Sequence, residues 1–158
     1  TVGKKGAALV LICDILKGVV PVIIAKLISG NVNSAIACQI SGFFAVLGHC
    51  FPIFFEFKGG KGVATSIGIL LVLNWQIGLI CLMYGIIMVI LTRMVSLGSI
   101  TAAILFPVLT IFIRMHYISE GFNYTVFGII MAVFILYNHR GNIKRLNEGT
   151  ENRISFRK

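Results

Sequence analysis

GVATSIGILLVLNWQIGLICLMYGIIMVIL, residues 62–91, decides the fold. As one helix it would run about 45 Å at 1.5 Å per residue. A bilayer's hydrocarbon core is about 30 Å thick and asks for roughly 20 residues. The break in the run is Asn74-Trp75-Gln76, and Trp collects where membrane meets water. The stretch therefore reads as two segments, about 62–73 and 76–91. The first is short, about 18 Å, so it must thin the bilayer locally or begin below its surface.

Outward from this pair, apolar blocks at about 7–28, 34–55, 99–115 and 122–138 bring the expected membrane segments to six. Hydrophobic residues make up 58% of the 158 and charged residues 12%, too apolar a balance for a soluble globule. Runs such as IGILLVL and YGIIMVIL lack the period-two alternation of a membrane β-barrel. The expected fold is all-α: a polytopic integral membrane helical bundle, one domain over 1–158, with a basic tail over 139–158. With six crossings, eleven of the fourteen Lys and Arg fall on one face, in residues 1–6, the loops at 56–61 and 92–98, and the tail. Lys and Arg accumulate on the cytoplasmic side, so that face is expected to be cytoplasmic. One long helix over 62–91 would put TRMVS opposite KGGKG and blur the bias. The net charge of +9 thus follows from topology and calls for no nucleic acid. Cys13, Cys38, Cys50 and Cys81 form no C-x-x-C pair and read as buried free thiols. The chain starts at Thr1 without a signal pattern, so an N-terminal part is expected to precede it.

The chemistry gathers at the breaks. In FKGGKGVAT, Gly59, Gly60 and Gly62 surround Lys61 and follow Lys58, ahead of a helix expected from near Val63. Glycine adopts positive φ and admits close backbone approach. Successive N–H groups in such a turn make an anion-binding concavity, and a helix N-terminus adds free donors and a positive dipole end. Lys58 to Thr65 therefore reads as a phosphate-holding loop at the membrane surface, with a flexible basic loop as the plain alternative. It is not a Walker loop, because Gly62 stands where Ser or Thr would follow the lysine.

Other breaks offer fewer signals. GHCFPIFFEF offers His49 and Glu56 as an acid–base pair, against a Glu56–Lys58 ion pair and a helix-packing His49; Pro52 should end or kink the second segment. In TRMVSLGS, Arg93 has the planar fork that clamps a phosphate, and Ser96 or Ser99 would cap the next helix. At the tail, His139 has the reference pKa of a general base; the bland alternative is a juxtamembrane basic helix on anionic lipid. Asp14 and Lys17 share a helix face as an internal ion pair, with a second role in positioning the cytoplasmic loops left open. One Asp and four Glu form no cluster of the kind Mg²⁺ needs. The expected chemistry is metal-free: orient an activated donor, hold anions, move one proton.

GHCFPIFFEFKGGKGVATSIG, LTRMVSLGSI and NHRGNIKRLNEGTEN resemble the bacterial acyl-phosphate:glycerol-3-phosphate acyltransferases of the PlsY type, in order along the chain. TVGKKGAALVLICDILKG is similar to the stretch after that family's first motif. The resemblance implies an inner-membrane enzyme of seven helices, six of them here, with its active site facing the cytoplasm. It implies transfer of a fatty acyl group from acyl phosphate to the 1-hydroxyl of sn-glycerol 3-phosphate, giving lysophosphatidic acid and phosphate without a cofactor. It also implies that Lys58, Gly59, Gly60, Lys61 and Gly62 hold the glycerol phosphate, with Thr65 and Arg93 added by the reading above. Ser96, His139 and Asn142 take catalytic roles, and Glu151 a structural one. The family's first motif, Ser-Gly-Asn followed by Gly-Ala-Thr-Asn and an Arg, would lie before Thr1. Partners are expected to be the two substrates and membrane lipid, with a monomer as the working expectation. The rival reading is a membrane anion or phospholipid carrier without chemistry.

Overall fold

A computed structural model describes residues 3–30, 34–117 and 121–155. The described residues form seven α-helices: α1 Gly3–Ser29, α2 Ser34–Cys50, α3 Val63–Leu73, α4 Trp75–Thr92, α5 Val95–Tyr117, α6 Gly121–Asn138 and α7 Arg140–Asn147. A 3₁₀ turn at Ile53–Phe55 follows α2. The expected interruption at Asn74 is present, and its cause is local. Asn74 is extended, with φ −155° and ψ 96°, and its side-chain Oδ1 accepts from Ile77 N at 3.0 Å. One residue thus ends α3 and caps α4.

Among the described residues four helices are long and apolar enough to cross a membrane: Lys5–Ser29, Ser34–Phe55, Trp75–Thr92 and Val95–Phe112. The α6–α7 pair, bent by 66°, makes a fifth if counted as one span. The chain is therefore an all-α, multi-pass integral membrane protein. With 11 residues, α3 is about 17 Å long at 1.5 Å per residue, too short to count by length.

Contacts divide the chain into two compact units, Thr1–Gly78 and Leu79–Lys158. In the first, α1 packs on both α2 and α3, through small residues. A Cβ on Gly18 of α1 would strike the Thr65 carbonyl oxygen, and one on Gly68 of α3 would strike that of Ile15. Backbones at such range give dense van der Waals contact, which drives helix association where lipid offers no hydrophobic contrast. Val22, Val46 and Ile69 are fully buried there. In the second unit α5 packs on α6, with Phe106 and Phe127 edge to face at 6.2 Å between ring centres. Many large apolar side chains face outward, among them Leu27, Ile28 and Leu91, as lipid-facing positions should.

As expected of Pro52, the second segment's helix stops just ahead of it, at Cys50, because proline withholds a donor. Two details differ from expectation. The fifth segment begins earlier, at Val95. Cys13 is exposed, whereas Cys38, Cys50 and Cys81 are buried.

Candidate active site

The glycine loop is built by folding the chain back onto the end of α2. Phe57 N donates to Pro52 O at 3.1 Å, Lys58 N to Phe55 O at 2.9 Å, and Gly59 N to Cys50 O at 3.1 Å. The tight winding puts two non-glycine residues, Glu56 (φ 52°) and Phe57 (φ 58°), in the left-handed region, a conformation that costs a β-carbon-bearing residue roughly 1–2 kcal/mol. Of the three loop glycines only Gly62 (φ 82°) has positive φ. Gly59 and Gly60 are needed for space instead. A Cβ on Gly59 would overlap the His49 carbonyl oxygen, and a Cβ on Gly60 would overlap His49 Nε2. The close approach expected toward a ligand is thus made first toward α2.

Gly62 is the residue before α3, and no side chain caps that helix. The first-turn N–H groups have no intrahelical acceptor. Ser66 Oγ donates back to Gly62 O at 2.7 Å. Thr65 is completely buried, and its hydroxyl oxygen has no hydrogen-bond partner among the described residues.

Beside the loop lies an open cavity of about 720 Å³. Lys17, His49, Lys58, Gly59 and Gly60 supply its polar lining, and Leu16, Val20, Pro21 and Phe55 much of the rest. Lys61, Gly62 and Thr65 are not among the residues that line it. Lys58 Nζ pairs with Glu56 at 2.8 Å, both side chains being over 80% exposed. Glu56 is therefore not the partner of His49. That partner is Asp14, whose Oδ1 lies 3.5 Å from His49 Nδ1 and 2.7 Å from Lys17 Nζ. The Asp14–Lys17 pair was legible from spacing; the addition of His49, 35 positions away, was not.

The other expected site residues belong to the second unit. Glu151 gathers them. Its Oε1 accepts from Ser96 Oγ at 2.7 Å and from Asn142 Nδ2 at 2.6 Å, and its Oε2 from Arg145 Nε at 2.8 Å. The hydrogen bonds from Ser96 and Asn142, and then that from Arg145, hold the Glu151 carboxyl below its ordinary value. Ser96 therefore does not cap α5, and neither does Ser99, whose hydroxyl donates to Val95 O at 2.9 Å within the helix. His139 is buried at the α6–α7 bend, with its Nδ1 2.8 Å from Ile135 O. A carbonyl only accepts, so Nδ1 carries the proton and the lone pair sits on Nε2. Arg93 has φ 61°, and its carbonyl accepts from Ile154 N at 2.8 Å. Its side chain lines a cleft of about 470 Å³ with Thr92, Arg153 and Ser155, whose lining does not include Ser96. The resemblance gave Glu151 a structural role without naming its partners; Ser96, Asn142 and Arg145 are those partners.

Fold and clusters define the class: a polytopic, all-helical membrane protein with polar clusters built at the ends of its helices. Residues 1–149 match the family model described as glycerol-3-phosphate acyltransferase. Similar proteins include the glycerol-3-phosphate acyltransferase of Francisella tularensis subsp. holarctica (strain FTNF002-00 / FTA), 45% identical over 152 residues, covering 96% of this chain and 70% of that protein. The corresponding protein of Thermoanaerobacter sp. (strain X514) is 42% identical over 153 residues, covering 96% and 72%. Crystal structures of PlsY (YgiH), an integral membrane glycerol 3-phosphate acyltransferase, are also similar. Its glycerol 3-phosphate form gives a TM-score of 0.82 at 36% identity over 97% of this chain and 73% of that one. Its lysophosphatidic acid form gives 0.83 at 35%, over 98% and 76%. The chain belongs to the glycerol-3-phosphate acyltransferase family.

Proposed function

We propose that this chain transfers a fatty acyl group from acyl phosphate to the 1-hydroxyl of sn-glycerol 3-phosphate, releasing lysophosphatidic acid and phosphate. The site would face the cytoplasm of a cell inner membrane. The observation that carries this reading is the glycine loop: Gly59 and Gly60 laid on α2, with Gly62 opening onto an uncapped helix start, between two lysines. Family membership and the two ligand forms of the PlsY structures support it. Lys58 and Lys61 supply positive charge, and the loop and first-turn N–H groups supply donors for phosphate; Arg93 is assigned separately, as a phosphate clamp in its own unit. The cavity beside the loop, apolar apart from Lys17, His49 and Lys58, suits an amphiphile with an anionic head.

Acyl phosphate is already activated, so no acyl-enzyme is required. The acceptor hydroxyl attacks the acyl carbon, its proton passes to His139 Nε2, and the acyl–oxygen bond to phosphate breaks with the electron pair leaving on phosphate. The Ser96 hydroxyl proton is engaged by Glu151, so Ser96 serves by holding that carboxylate, which in turn orients Asn142. The Asn142 amide and backbone N–H groups are the donors assigned to the developing oxyanion. Helices α1–α6 are assigned to six crossings, α3 as a short one, with α7 and the tail assigned to the cytoplasm. The test is full-length protein supplied with palmitoyl phosphate and glycerol 3-phosphate. Lysophosphatidate should form, and Lys61→Ala and His139→Ala should each abolish most of it. Binding of glycerol 3-phosphate with no product would favour the carrier.

A further inference from the structure

We infer that Asp14, a residue of the first helix, is a positioning residue for the glycine loop and acts on it through His49. The inference rests on the acyltransferase reading for its kinetic arm and on geometry alone for its structural arm.

An acid inside an apolar helix is costly, and within membrane segments such groups pair and serve function. Asp14 is the only Asp in the chain, and its side chain is 19% exposed. One oxygen, Oδ1, stands 2.7 Å from Lys17 Nζ and 3.5 Å from His49 Nδ1. Both partners line the cavity beside the loop. The far edge of the same imidazole lies under Gly60, so close that a Cβ there would overlap Nε2 and approach Cε1 at 2.8 Å. Gly59 is fixed alongside by its N–H to Cys50 O, 3.1 Å. The ring thus has the Asp14 carboxylate of α1 at its Nδ1 edge and the loop over its Nε2 edge.

The loop's winding stores two left-handed non-glycine residues, Glu56 and Phe57, and its Glu56–Lys58 ion pair is solvent-exposed and worth at most about 1 kcal/mol. A strained loop keeps one shape only where its surroundings over-determine it. Here the surroundings include the last turn of α2 and the His49 ring. If the ring turns, the floor under Gly60 moves, and the backbone N–H groups beyond it lose their aim. Lys17, released from the same carboxylate, loses its direction into the cavity too.

The experiment uses the full-length protein in detergent or nanodiscs and compares wild type with Asp14→Asn, Asp14→Glu, His49→Ala and Asp14→Asn/His49→Ala. Backbone hydrogen exchange over residues 56–62 should accelerate in Asp14→Asn and in His49→Ala, with no further acceleration in the double variant. The KM for glycerol 3-phosphate should rise on the order of tenfold, the scale of a misaimed site, while kcat falls far less, and Asp14→Glu should recover part of the loss. Unchanged exchange over 56–62 in Asp14→Asn would overturn the inference, as would additive effects of the two substitutions. So would a fall in kcat alone, tracking lower thermal stability. A wild type that makes no lysophosphatidate would instead overturn the acyltransferase reading, and the exchange arm would still decide the role of Asp14.

Discussion

The two compact units handle their polar residues in opposite ways. In the first, the important object is a stretch of backbone, and side chains are kept out of its way. Gly59 and Gly60 lie where a Cβ would strike His49, and Gly18 and Gly68 let α1 and α3 touch backbone to backbone. In the second, the important object is one carboxylate with three side-chain donors, Asn142 and Arg145 from nearby α7 and Ser96 from 55 positions away, around Glu151. The first unit is specified by the absence of atoms and the second by the presence of charge-assisted bonds. Substitution by a larger residue should therefore damage the first, and removal of a polar group should damage the second.

The largest effect is expected from Glu151→Ala. It leaves the Asn142 amide and the Ser96 hydroxyl without their acceptor inside the unit and the Arg145 guanidinium without its carboxylate, and breaking such a network is strongly destabilising. Loss of lysophosphatidate synthesis together with a marked drop in thermal unfolding temperature is the expected result; a stable, active variant would break the comparison. Gly68→Leu comes next. Its side chain would enter the α1 backbone at Ile15, and overpacking of this kind costs roughly 1–3 kcal/mol. Differential scanning fluorimetry on purified protein reads this directly, and neutrality would mean that the α1–α3 crossing is looser than described.

A third expectation concerns the second unit and pH. The folded Glu151 carboxyl lies below its ordinary 4.5. Its contribution is therefore fully present above 4.5 and is lost as pH falls through the lowered folded value. Hydrogen exchange over 148–155, corrected for intrinsic rate, should accelerate in that acid range before the α5–α6 core does. The smallest effect belongs to Lys58→Ala. Its pair with Glu56 is exposed, so the unfolding temperature should barely move, by less than about 1 kcal/mol in stability terms. A larger loss would show that the loop leans on that pair after all.

How much of this was legible follows the same division. The break at Asn74, the helix start at Val63 and the Asp14–Lys17 pair all depend on near neighbours, and periodicity and spacing found them. The glycine-rich turn was found too, but of its glycines only Gly62 takes the positive φ expected of them; Glu56 and Phe57 take it as well, while Gly59 clears the carbonyl oxygens at the end of α2 and Gly60 clears the His49 imidazole. Pairings that cross the fold were not legible. Of the two readings offered for Glu56, the local ion pair with Lys58 is the one present, whereas the group beside His49 is on α1. Ser96 or Ser99 was offered as a cap for the next helix, whereas the partner of Ser96 is 55 positions away. A single sequence carries no signal for either contact, since nothing local requires it.

The most direct test of the account is the dependence of lysophosphatidate formation on glycerol 3-phosphate concentration, measured on the full-length protein as wild type and as Gly60→Ala. If the backbone laid over His49 holds the acceptor, the added methyl lifts it, and KM should rise on the order of tenfold with kcat largely kept. An unchanged KM, with the variant folded, would show that the acceptor is held elsewhere.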